Sequence, residues 1–490
     1  MPDLIVPEAR EGLLKRSLSL FDSTAIVVGS MIGSGIFIVS ADMARNLGSP
    51  GWVIIAWLLS GVMTVFAALS YGELAGMMPK AGGQYVYLRE AYNPLVGFLY
   101  GWTLFLVIQS GTIAAVAVAF AKFTGVLFPW FSDKNVVFYF LSLKFTSVQL
   151  LAIITLIIQT IINLNGINTG KIVQNIFTFT KALALLGLIV IGVLFFRNVG
   201  AVHLNTKIFW DAATGSGNGI VHLTGFALIA ALGMAMVGSL FSSDAWNNIT
   251  FIAGEIKNPR KNIPLSLFLG TLSVCILYIL ANFAYINVLP LRGAIDGQNV
   301  MQKGIQYAAD DRVGTAFMQV LFGNSGSFIM AILIMISTFG CNNGLILAGA
   351  RVYYSMANDG LFFSSAGKLN RNKVPGFALV VQCIWASILC LSGTYSNLLD
   401  YVVFTVLIFY ILTIIGIFIL RKKRPDAKRP YKAFGYPAVP VLYITAAAVI
   451  MAILLIYKPN YTWPGLLIVI AGLPVYFIWR KAEQSNPGGF

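Results

Sequence analysis

Stretches of about 20 apolar residues, divided by short segments carrying Pro, Gly and charge, recur along this chain from residue 22 to residue 480. At 1.5 Å of rise per residue, each is long enough as a helix to cross the roughly 30 Å hydrocarbon core of a bilayer. Lipid offers backbone groups no hydrogen-bond partner, so each run must satisfy its own N–H and C=O groups, which a helix does. With 58% apolar and only 10% charged side chains, against roughly 25% charged in soluble domains, the chain has too little polar surface for a soluble fold. The expected architecture is an all-α integral membrane protein of twelve spans, near 22–44, 51–77, 94–121, 148–166, 171–196, 220–252, 264–290, 323–350, 374–394, 398–420, 437–457 and 463–480.

A net charge of +15 would point to nucleic acid if it formed one face of a soluble domain, but here it sits at span ends. With both termini cytoplasmic, 22 Lys and Arg fall on the inner side and 10 on the outer, with Lys181 inside a span. The positive-inside rule supports that orientation. The densest cluster, Arg421, Lys422, Lys423, Arg424, Lys428, Arg429 and Lys432, reads as an orienting anchor that meets anionic lipid head groups. Membrane lipid is therefore an expected partner and nucleic acid is not. Residues 1–20 are mixed and charged, unlike a signal peptide, and read as a cytoplasmic tail of a plasma-membrane protein. All four cysteines lie within predicted spans, so disulfide-linked partners are not expected. His203 and His222, read as loop residues between spans five and six, are too few for a metal centre. Neither metal nor cofactor is expected.

Two spans are interrupted. The first carries Gly29, Gly33, Ser34 and Gly35 near its midpoint, and each glycine costs about 1 kcal/mol in a helix relative to Ala. Gly29-x-x-x-Gly33 also matches a close-packing motif for neighbouring helices. The sixth span decides between packing and a break: its 33 residues include Phe241, Ser242, Ser243, Asp244, Asn247 and Asn248. A carboxylate and two amides at mid-depth are tolerated where backbone lines a cavity or is enclosed by protein. Two discontinuous helices five spans apart fit an inverted repeat with a site between its halves. The division is then a tail over 1–20, a first repeat over 21–197, a second over 198–421, and a basic loop with two further helices over 422–490.

A half-helix that starts near Ser34 to Ile36 turns N–H groups and a positive dipole end toward the cavity, which favours a carboxylate. The opposite half-helix ends turn the carbonyls of Met31, Ile32, Phe241 and Ser242 inward, which suits an ammonium. An α-amino acid carries both poles. Asp244 has three open roles: contact with a cationic substrate, proton uptake, or a structural hydrogen bond.

The chain resembles the amino acid, polyamine and organocation superfamily of transporters, and within it the L-type amino acid transporter branch. The resemblance rests on Gly33-Ser34-Gly35-Ile36-Phe37, Gly72-Glu73-Leu74 through Pro79, Gly82-Gly83 with Tyr85-x-Tyr87, Phe241 through Asn247, Glu255-x-x-Asn258-Pro259 with Asn262-x-Pro264, and Ala350-Arg351 through Asp359-Gly360. It implies a LeuT-type fold with alternating access. Substrate would meet Met31, Ile32, Gly33, Ser34, Gly35, Ile36, Phe241, Ser242, Ser243 and Asp244, with the Phe241 ring covering the site from outside. Where the branch has an aromatic two residues before a Gly-Trp pair, this chain reads Ser243-Asp244-Ala245-Trp246. That change enlarges the pocket and adds one methyl beside the backbone.

Lys181 lies about 15 Å beyond the start of its span by helical rise, either snorkelling to the interface or facing inward. The resemblance places an inward lysine here, where sodium-coupled relatives hold a structural ion, with Asn342 and Asn343 as neighbours or as interhelical packing bonds. Transport would then be sodium-independent, by exchange or proton coupling. A neutral amino acid is the expected substrate, with a cationic amino acid or polyamine gripped by Asp244 as the alternative. The branch includes animal members with a heavy chain, but residues 122–147 contain no bridging cysteine. An enzyme is not expected: His-Glu-x-x-His and Gly-x-Ser-x-Gly are absent, and Gly166 to Lys171 is one residue short of a phosphate loop. Two broken spans also fit an occluding carrier better than a channel.

Overall fold

The computed structural model describes residues 16–140, 143–215, 219–392 and 395–485, so the expected tail lies mostly outside the described residues. The protein is an all-α membrane protein. Each predicted span falls on a helix or a bent pair, and among the described residues ten helices have the length and hydropathy to cross a bilayer, with one bent pair as an eleventh. That pair is α1 (Leu20–Met31) and α2 (Gly35–Leu47), bent by 41°. Next come α3 (Pro50–Met77), the short α4 (Gln84–Ala91), and α5 (Pro94–Thr103), which joins α6 (Gln109–Leu127) through a π-helical turn at Leu104–Ile108. A hairpin of β1 (Val136–Phe140) and β2 (Leu143–Thr146) leads to α7 (Ser147–Leu164), α8 (Ile167–Val190) and α9 (Val199–Lys207).

The second half opens with β3 (Ala213–Thr214) paired to β4 (Val221–His222), then α10 (Gly225–Ser242), α11 (Asn248–Phe251), α12 (Pro259–Val288) and α13 (Val300–Lys303). Last are α14 (Val313–Asn358), α15 (Gly376–Ser392), α16 (Tyr395–Lys423), α17 (Ala438–Tyr457) and α18 (Pro459–Ser485). The sequence marks several starts chemically. Ser19 and Asp22 form a reciprocal capping box at α1, and Thr146 and Gln149 another at α7. Pro50, Pro94 and Pro259 open their helices, where a missing N–H costs nothing.

The structure departs from the sequence expectation in four places. The sixth predicted span starts late, because Val221 and His222 pair with β3 and α10 begins only at Gly225. His203 lies on α9 rather than in a loop, and His222 sits in β4 with Nδ1 2.7 Å from Asp211 Oδ1. The eighth reaches back to Val313 through a kink at Phe322 and Gly323, the latter at φ +61°, where Gly323-Asn324-Ser325-Gly326 interrupts the apolar run. Among the described residues the ninth is 17 residues long.

On the face that carries the basic cluster, Glu73 at the end of α3 is buried and accepts from Arg421 (2.9 and 2.6 Å), Arg429 (3.2 Å) and the Ala433 N–H (2.7 Å). Arg424 pairs with Glu90 at 2.7 Å, and Lys423 donates to the Ala91 carbonyl at 2.9 Å. Much of the cluster therefore clamps α3, α4 and α16 together, while Lys422, Lys428 and Lys432 are exposed. Nearby, Ser17 and Leu18 N–H groups donate to the Glu255 carbonyl at 2.9 and 3.0 Å, and Lys257 N–H to the Leu18 carbonyl at 2.8 Å. The Glu255 side chain meets Arg351 of α14 at 3.4 Å, with each side chain only 2% exposed.

Candidate functional site

α1 stops at Met31 and α2 starts at Gly35, so Ile32, Gly33 and Ser34 carry the break. The carbonyls that α1 leaves without helical partners are met by side chains from three other helices, which is how unwound backbone is tolerated at this depth. Lys181 of α8, 1% exposed, donates from Nζ to the Gly29 carbonyl. Cys341 Sγ of α14 lies 3.0 Å from the Ser30 carbonyl, and Tyr278 of α12 donates to the Met31 carbonyl at 2.8 Å. Ser337 Oγ, one turn before Cys341 on the same face of α14, lies 3.3 Å from the carbonyls of both Ile32 and Gly33.

The second break runs from Ser243 to Asn247, between α10 and α11. Ala245 turns the chain there at φ +64°, a left-handed conformation that costs an L-residue about 1–2 kcal/mol. The loop is held by Tyr410 of α16, whose hydroxyl donates to Asp244 Oδ1 at 2.5 Å. Asn247 donates to Gln84 Oε1 at 3.0 Å, and Gln84 to Thr413 at 3.1 Å. Replacing Ala245 with Gly removes the backbone penalty, so the expected result is a gain of up to about 1 kcal/mol, read as a higher thermal midpoint in detergent.

The two breaks face each other. A Cβ placed on Gly35 would lie 2.1 Å from Ser242 Oγ and 3.0 Å from Ser242 Cα, so only glycine lets α2 and α10 approach this closely. Met31, Gly33, Ser34, Gly35, Phe241, Ser242 and Asp244 line one narrow cavity between them. Ser243 and Asp244 line an adjoining one together with Trp246 and Tyr410. Ile32 and Ile36 are buried beside the first cavity, and Phe241 is 7% exposed at its edge. Lys181 stands behind α1, against Gly29, rather than in the cavity. The first cavity measures about 20 Å³, the size of a water site, so nothing larger than a water fits it in this conformation.

Asn342 and Asn343 make interhelical bonds with α7. Asn342 donates to Gln159 Oε1 at 3.0 Å and accompanies the donation from Asn163 to Asn343 Oδ1 at 2.7 Å. Sequence reasoning did not single out Tyr278, Ser337, Cys341 or Tyr410. The one signal in the chain was the four-residue spacing of Ser337 and Cys341, which reads equally well as packing between helices. Among the described residues no group of three His, Cys, Asp or Glu side chains is placed to hold a metal.

The amino acid permease family matches this chain over residues 18–476. The large neutral amino acids transporter small subunit 2 of Oryctolagus cuniculus is 30% identical over 478 residues, covering 96% of this chain and 82% of the relative. The serine/threonine exchanger SteT of Bacillus subtilis is 29% identical over 477 residues, 96% of this chain and 98% of the relative. The b(0,+)-type amino acid transporter 1 of Mus musculus is 27% identical over 483 residues, 96% and 89% of the two chains. With a match that spans both helix breaks and nearly the whole sequence, the chain belongs to the amino acid permease family, a family of transporters rather than enzymes.

Proposed function

We propose that this protein is a sodium-independent carrier of neutral amino acids that exchanges them across the plasma membrane by alternating access. The observation that carries this reading is the pair of facing breaks with a lysine ammonium fixed on the Gly29 carbonyl. Lys181 supplies a tethered cation where a sodium-coupled carrier would need a dissolved one. The N–H groups at the start of α2, from Ser34 to Ile36, receive the substrate carboxylate. Met31 and Ile32 carbonyls each accept a protein hydrogen bond and keep a second lone pair, which with the Phe241 and Ser242 carbonyls receives the ammonium. Phe241 covers the cavity from outside.

In this reading residues 21–197 and 198–421 are the inverted repeats of a LeuT-type fold, residues 422–490 add the basic loop and two helices, and both termini are cytoplasmic. Lys422, Lys428 and Lys432 then meet the lipid surface. The relatives' names support the substrate class, since they specify large neutral amino acids and serine or threonine. One relative is named a small subunit; residues 122–147 of this chain carry no cysteine that could bridge to such a partner.

Counterflow in proteoliposomes tests the proposal. Vesicles preloaded with an unlabelled neutral amino acid should take up labelled amino acid saturably and faster than empty vesicles, at the same rate when sodium is replaced by potassium. Uptake that requires sodium, or a conductance without trans-stimulation, would overturn it.

A further inference from the structure

A third narrow cavity also adjoins the one at the breaks, and the two share Thr112, Asp244, Ala245 and Leu345. Its wall sets Gln84, Gln109, Asn247 and Asn248 beside Asp244 among apolar groups that include Phe251, Val406 and Phe409, more polar side chains than a subsite for leucine or phenylalanine needs. Several of these groups are satisfied within the protein. Gln84 and Asn247 bond to each other, and Gln109 Nε2 donates to the Leu345 carbonyl at 2.7 Å. Two retain capacity. Asp244 accepts from Tyr410 on Oδ1, and a carboxylate has about four acceptor positions. Asn248 is buried, and its Nδ2 has no hydrogen-bond partner among the described residues. Buried donors are rarely left unpaired, so this one points to a group that arrives with the substrate. On the same wall, the π-helical turn presents Leu104 and Ile108, and such turns concentrate at functional sites.

We infer that this third cavity is the side-chain subsite of the carrier and that it selects a carboxamide, as in glutamine and asparagine. The amide NH₂ donates to Asp244 and the amide carbonyl accepts from Asn248 Nδ2, while the α-carboxylate and α-ammonium stay at the breaks. This rests on the amino acid transport proposed above. A cationic side chain satisfies Asp244 but sets donor against donor at Asn248. An apolar side chain leaves Asn248 unserved and the remaining acceptor positions of Asp244 unfilled, which is how polar sites reject isosteres. A hydroxyl has one atom with which to serve both and ranks second.

The test is a competition panel on purified protein in proteoliposomes, with counterflow of labelled glutamine, alanine and leucine against unlabelled glutamine, asparagine, serine, leucine, phenylalanine, lysine and arginine. Glutamine and asparagine should inhibit at concentrations about tenfold below leucine and phenylalanine, the ratio one net hydrogen bond supplies. Asn248→Leu should bring the glutamine-to-leucine ratio toward one, and Asn248→Gln should keep part of the preference. Leucine or phenylalanine inhibiting as strongly as glutamine would overturn the inference and leave amino acid transport standing. Lysine or arginine inhibiting best would overturn it in favour of Asp244 as the counter-charge of a cation. Counterflow with none of the labelled amino acids would overturn the transport reading, and this inference with it.

Discussion

Lys181→Met is expected to abolish most counterflow while the protein still inserts and survives extraction into detergent. The substitution keeps most of the side-chain volume but removes the ammonium from the Gly29 carbonyl. A hydrogen bond to a charged group contributes about 1.5–3 kcal/mol, so the conformer that holds α1 in place becomes rarer by about ten- to a hundredfold. Lys181→Arg should not restore the rate, because a planar fork cannot take the place of a compact ammonium at a single carbonyl. The measurement is initial counterflow per quantity of reconstituted protein, beside a thermal melt that reports folding. A fully active Met variant would remove Lys181 from the mechanism.

Gly35→Ala should impair transport to a similar degree for a different reason. The added Cβ would meet Ser242 at Oγ (2.1 Å), Cβ (2.8 Å) and Cα (3.0 Å). The hydroxyl can rotate away, but Ser242 Cα belongs to the backbone, so α2 must retreat from α10 and the two breaks lose their register. Overpacking of this kind costs about 1–3 kcal/mol, or about five- to a hundredfold in the population of the site-forming conformer. Ser242→Gly introduced alongside should recover part of the loss, a coupling that a double-mutant cycle measures. Gly187→Ala on α8 is the control, since its Cβ would meet nothing within 4 Å. It should transport normally and melt slightly higher. Equal rates in the Gly35→Ala and Gly187→Ala proteins would refute the close apposition of the two breaks.

The breaks were legible because Gly33-Ser34-Gly35 and Ser242 through Asn248 interrupt otherwise apolar runs, and only an enclosed cavity tolerates such interruptions in lipid. The side chains that sustain them were not. A lone Tyr278 or Tyr410 in an apolar span has the same local signature whether it faces a loop carbonyl, a carboxylate or a neighbouring helix. Its partner lies 247 residues away for Tyr278 and 166 for Tyr410. The departure at Ala245 was visible as an extra methyl, but its left-handed backbone was not, because nothing adjacent in sequence dictates it. The capping box at Ser19 explains why α1 begins two residues ahead of the apolar run. The π-helical turn at Leu104–Ile108 falls within uninterrupted hydrophobic sequence and has no compositional mark.

The short pairing of residues 17–18 with 255–257 ties the stretch ahead of α1 to the stretch behind α11. Each of those helices is the half of its rod that lies on the basic face, beyond its own break. The two half-helices are thereby tied to each other through backbone and to α14 where Glu255 meets Arg351. Under the transport proposed above, opening toward that face is accordingly expected to be one concerted unlatching rather than two independent movements.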